Sequence, residues 1–186
     1  MPELPLEIWK DRINNEIKSL ERLRVIEKDS IIWQENNVEF LVTLKALGFI
    51  REIANPQNLI PKTSHRILFK LNRSFPYPGG IDFAWYSNIF HPNIHPVELP
   101  NSIDPGTGYI CLNILKQWSR LSDLETTVKA LEKLLEDPNP DDPLNYNLCM
   151  EAAEFFKNID IEALKNQYHN RELKDEDDKD IIIIDD

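Results

Sequence analysis

The sequence predicts an α+β domain, with helices packed on one side of an antiparallel β-meander. Three observations carry that reading. An amphipathic helical stretch comes first, segments of alternating apolar residues follow it, and helical spacing returns after residue 122.

In the first helix Ile13, Ile17, Leu20 and Arg24 share a face, with Trp9 and Leu23 beside it. Lys10, Glu16, Lys18 and Glu21 are then left to meet water. "VEFLVTL" (38–44) alternates Val38, Phe40, Val42 and Leu44 on one side, the period of a half-buried strand. Residues 45–65 are ambiguous, holding a candidate strand, "FIREI", and the loop "ANPQNLIPKTSH". "RILFKL" (66–71) sets Ile67, Phe69 and Leu71 on one side, and the aromatic-rich "IDFAWYSNIF" (81–90) is the third strand. Helices then return. Ser122 with Glu125 forms a capping box ahead of Leu124, Val128, Leu131 and Leu135 at helical spacing. Pro138 ends that helix. In the loop that follows, Asp142 precedes Pro143, a favoured first helical residue. The next helix spans roughly 143–158, with Leu144, Leu148, Ala152 and Phe155 on one face, and Asp160 is placed to cap a further short one.

Composition narrows the function. The 186 residues are one domain's worth, and two cysteines make no disulfide framework. The amino terminus lacks an apolar signal core, and no run approaches the roughly 20 apolar residues that span a bilayer. The expectation is a soluble, cytoplasmic protein in a reducing setting. The net charge of −11 is uneven, because between Glu172 and Asp186 eight acids face only Lys174 and Lys179. Such a tail repels nucleic acid and anionic membrane and favours a basic protein partner. We therefore divide the chain into a domain over 1–170 and an acidic tail over 171–186.

Cys111 lies in "GYICLNIL" (108–115), flanked by Ile110 and Leu112. On residue type alone it is core, since free cysteine is among the most buried residues. Cys149, at helical spacing in "NLCMEAAEFF", reads as packing.

Larger blocks change the reading of Cys111. "FPYPGGIDFAWYSNIFHPNI", "GYICLNIL", "WS" and "LLEDPNPDDPLN" occur in that order. In wording and order they resemble the ubiquitin-conjugating enzymes, from about Phe75 to Phe156 and, in layout, back to the first helix. The resemblance implies that family's fold: an amino-terminal helix, a four-stranded antiparallel meander and carboxy-terminal helices. It also implies transthiolation. Cys111 takes ubiquitin or a ubiquitin-like protein from an activating enzyme as a thioester. It then passes the acyl group to a lysine, directly with a ubiquitin ligase or through a ligase cysteine. A thiolate is both a strong nucleophile and a good leaving group, and no cofactor is needed.

The same resemblance gives Asn93 two roles: donating a hydrogen bond to the oxyanion as lysine attacks, or bracing the loop from inside. His91 is structural, bonded to backbone. Asp142 flanks the cysteine, where a carboxylate orients lysine and favours loss of its proton. An ammonium with a pKa near 10.4 cannot attack. Arg12 matches a position that docks the activating enzyme, and Tyr77, Trp118 and Ser119 fall in ligase-contact blocks.

The chain departs from the family pattern in several places. Asn93 and Cys111 are 18 positions apart, about ten more than usual, and the extra length lies within "HPVELPNSIDPGTG" (95–108). Glu98 and Asp104 are candidate acids there. Gly79 and Gly80 replace paired prolines, Arg120 replaces the proline of Trp-Ser-Pro, and Asn15 replaces a basic residue. The chemistry reads as kept and the partner surfaces as changed. In the tail, Ile181, Ile182, Ile183 and Ile184 sit between acids, a pattern that suits strand addition to a ubiquitin-fold protein. Its rivals are strand addition to the domain itself and an aggregation-prone accident of composition. The rival functions are a non-catalytic binding module of the same fold and a metal site built from His91, His95 and Cys111.

Overall fold

The structure is a computed structural model that describes residues 2–100, 102, 105–111 and 122–168. Its elements in chain order are α1 (Leu6–Arg22), β1 (Ile32–Trp33), β2 (Asn37–Leu44), β3 (Gly48–Arg51), β4 (Leu59–Lys62) and β5 (His65–Asn72). They continue with β6 (Ile81–Trp85), β7 (Ile94–His95), β8 (Tyr109–Ile110), α2 (Leu124–Glu136) and α3 (Asn147–Lys157). A fourth helical stretch, α4, covers 161–168.

An antiparallel sheet in the order β1-β2-β5-β6 forms the centre. Strict alternation places Val38, Phe40, Val42 and Leu44 of β2 beside Ile67, Phe69 and Leu71 of β5, all buried. Phe69 contacts Phe40 and meets Phe83 edge-on at 4.6 Å, a favoured aromatic geometry. Trp9, Ile13, Ile17 and Leu20 of α1 and Leu124, Val128, Leu131 and Leu135 of α2 complete this core. A second cluster gathers Phe49, Leu59, Phe90, Ala152 and Phe156, with Leu148, Phe155 and Tyr168 against it.

The structure resolves the ambiguous stretch 45–65. "FIR" belongs to β3, which among the described residues pairs with β4 alone, in a separate hairpin. The strand expected over 81–90 ends at Trp85, because the backbone of Trp85 and Tyr86 turns to bond Gly108, Val97 and Glu98.

Helix boundaries also differ from expectation. α1 stops at Arg22 in a Schellman arrangement: Arg24 N–H donates to Glu21 O and Val25 N–H to Leu20 O. Arg24 takes the left-handed conformation that this motif demands, so it leaves the helical face. Glu16, expected in water, is buried. Its carboxylate accepts the Leu124 N–H at the first turn of α2 and pairs with Arg12 at 2.6 Å. The N-cap of α2 is Asp123, which accepts from Thr126 N–H; the expected cap, Ser122, instead gives its carbonyl to Arg12. α3 begins at Asn147, not Pro143, because Leu144 N–H is spent on Pro92 O outside any helix. Asp160 does cap α4, accepting from Ala163 N–H. Among the described residues, no helix is long and apolar enough to cross a membrane.

Candidate functional site

The site is assembled where three non-helical segments meet: His91–His95, the β8 end at Cys111, and the loop 137–146. His91 is sealed in the interior. Its Nδ1 accepts the Asn93 N–H and its Nε2–H donates to Leu134 O, which ties the loop to α2. Burial holds this imidazole neutral, pushing its pKa down to about 3. Both ring nitrogens are therefore occupied, which removes His91 from any metal site with His95 and Cys111.

Asn93 is the hub, with only 3% of its surface exposed. Its Nδ2 donates to Asn139 O at 3.0 Å and to Asp142 O at 2.9 Å, and its Oδ1 accepts Asn139 N–H at 2.7 Å. Its main-chain carbonyl accepts the Cys111 N–H at 2.9 Å. One asparagine thus joins the cysteine strand to the acidic loop. Both amide hydrogens are committed to carbonyls, which is the bracing geometry.

Cys111 is half-buried at the end of β8, whereas Cys149 is buried in α3. The Cys149 thiol lies against Ile94 O at 3.3 Å, and desolvation pushes its pKa up to about 12, so it is inert at neutral pH. The Asp142 residue is exposed, on the loop that its own carbonyl anchors to Asn93. Cys111, Asn93 and Asp142 are therefore brought together through a continuous set of hydrogen bonds.

The 95–108 segment is docked along the end of β6. Val97 and Glu98 N–H donate to Trp85 and Tyr86 O, and Trp85 N–H to Gly108 O. A Cβ on Gly106 would lie 2.2 Å from the carbonyl oxygens of Pro96 and Val97, so only glycine lets the two limbs approach. Glu98 is exposed, and its carboxylate accepts Asn88 N–H at 3.3 Å. Asp104 lies outside the described residues.

The expected partner residues are separated. Arg12, on α1, is held by Glu16 and Ser122 O and lies over the Phe75 ring. Tyr77 is half-buried in the turn before Gly80, whose N–H it accepts on its carbonyl. Trp118, Ser119 and Ile181 to Ile184 lie outside the described residues. Asn139, Thr107 and Tyr146 were not anticipated. Asn139 stood in a quoted motif, but nothing local marks it as the partner of a residue 46 positions away.

Comparison with known proteins bears on the same segments. The chain is 34% identical over 103 residues to "Ubiquitin-conjugating enzyme E2 N" of Drosophila melanogaster, covering 53% of this chain and 59% of that protein. It is 41% identical over 92 residues to "Ubiquitin-conjugating enzyme E2 3" of Arabidopsis thaliana, covering 47% and 52%. The matches thus span little more than half the length of these relatives. The fold is similar to the E2 domain of a Toxoplasma gondii ubiquitin conjugating enzyme, with TM-score 0.53 at 22% identity over 80% of this chain and 87% of that one. It is also similar to S. cerevisiae Ubc12, with TM-score 0.52 at 21% identity over 83% and 75%. A family model described as ubiquitin-conjugating enzyme matches residues 52–163, more than half of the chain and all three segments of the site. The chain belongs to the ubiquitin-conjugating enzyme family.

Proposed function

We propose that this chain is an active carrier of ubiquitin or a ubiquitin-like modifier. One observation carries the reading: the half-exposed Cys111 is hydrogen-bonded to Asn93, which itself holds the loop bearing exposed Asp142. The Cys111 thiolate attacks the modifier's carboxy-terminal carbonyl carbon on an activating enzyme. The new carbon–sulfur bond replaces the old one, and the activating enzyme's thiolate leaves. A neutral lysine amine then attacks the same carbon, the Cys111 thiolate departs, and an amide remains once the amine's proton has passed to the Asp142 carboxylate.

Asp142 orients the lysine and accepts its proton as the amine attacks. Asn93 acts chiefly as a brace, because an oxyanion role would require its Nδ2–H groups to leave the Asn139 and Asp142 carbonyls. A ubiquitin ligase and an activating enzyme complete the partner set, with Arg12, Tyr77, Trp118 and Ser119 as candidate contacts. Ile181 to Ile184 remain a candidate strand for a ubiquitin-fold protein. Two free thiols fit a reducing compartment such as the cytoplasm. A non-catalytic module of the same fold needs no exposed cysteine, and Cys111 argues against that alternative.

The test is to incubate the chain with ATP and matched pairs of activating enzyme and modifier, then resolve the products with and without reductant. A reductant-sensitive adduct is expected, absent in Cys111→Ala and converted to a reductant-resistant ester in Cys111→Ser. A wild-type chain that no modifier charges defeats the proposal.

A further inference from the structure

Asn93 is not the only link between the cysteine strand and the acidic loop. His95, in β7, is paired across the hairpin with Tyr109, two residues before Cys111. Its ring stacks face to face on Tyr146, with centroids 3.9 Å apart and planes 6° from parallel. A 2.8 Å hydrogen bond joins its Nδ1 to Thr107 Oγ1, and that same oxygen accepts the Tyr109 N–H at 3.2 Å. Tyr146 is the N-cap of α3 and closes the loop that carries Asp142; Leu144 N–H also ties that loop to Pro92 O.

A single imidazole, only 5% exposed, therefore touches the acidic loop through its face and the cysteine hairpin through its edge. Thr107 belongs to the lengthened connection between Asn93 and Cys111. That connection returns a hydroxyl to the hairpin as well as covering the end of β6. Asn93 fixes the loop near Asn139 and Asp142, and His95 fixes it at Tyr146, where α3 begins. Two points define the orientation of a loop where one leaves it free to pivot.

We infer that His95, Tyr146 and Thr107 form a positioning latch that sets Asp142 relative to Cys111 during acyl transfer. None of the three touches the reacting atoms. The acyl-transfer part rests on the proposed function, while the mechanical coupling to Cys111 does not.

Three variants of the full chain test it: Tyr146→Ala, Tyr146→Phe and Thr107→Val. The first measurement is the rate of Cys111 alkylation by iodoacetamide, for which buried Cys149 gives no background. Tyr146→Ala is expected to change that rate several-fold, and Tyr146→Phe, which keeps the stacked ring, to restore it. The second is single-turnover discharge of the Cys111 thioester to free lysine across pH 6 to 9. Tyr146→Ala is expected to charge normally but discharge on the order of tenfold more slowly, as misplaced groups do. Its pH–rate profile should rise more steeply with pH, because a displaced Asp142 no longer accepts the amine's proton during attack and hydroxide must remove it. Thr107→Val should fall between wild type and Tyr146→Ala. A sheet variant with a matched loss of melting temperature, Phe69→Leu, should leave the profile in place, separating positioning from general destabilisation.

If wild type discharges and Tyr146→Ala matches it in rate and pH dependence, the latch is overturned while the transfer function stands. If wild type accepts no modifier, the transfer function falls. Alkylation then decides the coupling, and an unchanged rate in Tyr146→Ala overturns that too.

Discussion

The central sheet and the shell around Cys111 are held together in opposite ways. In the sheet, β2 and β5 pair over their full length and bury an apolar residue at every second position. No single contact decides the geometry. In the shell there is little regular structure: Asn93 and His91 join separate segments through individual polar atoms, and His95 does so through one polar atom and one ring face. Damage to the sheet should therefore appear as lost stability with the site's shape kept. Damage to the shell should appear as lost shape at a smaller cost in stability.

The largest effect expected is in the sheet. Phe69→Ala removes a fully buried ring that packs on Phe40 and Phe83, at a cost of about 3–5 kcal/mol in urea unfolding. Well below its melting temperature this variant should alkylate Cys111 and discharge lysine at wild-type rates; a changed discharge rate would merge the two regions.

Asn93→Ala strips three side-chain hydrogen bonds from the loop 139–142, for about 2–3 kcal/mol, since the released groups are partly accessible to water. Its thioester should form but discharge slowly. Asn93→Asp sharpens the point: the acceptor for Asn139 N–H survives, but a carboxylate oxygen now faces two carbonyls. A rapid discharge in both variants would show that the brace is dispensable.

Acid tests both regions at once. His65, bonded through Nε2 to the Ala46 and Lys62 carbonyls, sits at the sheet's end and is pushed down to about 4 by burial, as His91 in the shell is pushed to about 3. The unfolded chain binds protons at these histidines below about 6.5, while the folded chain holds them neutral. Stability is then full above pH 6.5 and falls as pH drops toward 4 and 3. From pH 7 to 5.5 the loss is about 1 kcal/mol per histidine, before the carboxylates titrate. A urea midpoint unchanged over that interval contradicts the assignment.

Gly106→Ala should be the mildest, at about 1–2 kcal/mol, because the 95–108 limbs must part to admit a methyl group while the sheet stays intact. It should alter Cys111 alkylation more than it alters the melting temperature.

The same contrast explains what could be read from the sequence. β2 and β5 were visible because alternation is a local signal, and each apolar residue found the face its parity predicts. His91, Asn93, Cys111 and Asp142 could be singled out as candidates because they stand in short blocks with recognisable neighbours. Glu16 was not, because a carboxylate at a surface-like helical position goes inside only when an arginine and a distant helix end meet it there. Ser122 failed as a cap for a related reason: its carbonyl was drawn to Arg12, and Asp123, one residue on, had a free carboxylate. Thr107 and Tyr146 gave no signal and His95 was singled out only as a metal ligand, since stacking between residues 51 apart leaves no periodicity.

The buried Glu16 also bears on how the chain reaches its final form. The carboxylate that caps α2 sits 108 positions before the N–H it accepts. During synthesis the first helix emerges long before its electrostatic counterpart exists, and closing so long a loop is slow. A nascent chain halted ahead of Leu124 therefore leaves the buried Glu16 carboxylate with Arg12 of its own helix but without the α2 N–H that it accepts in the folded chain.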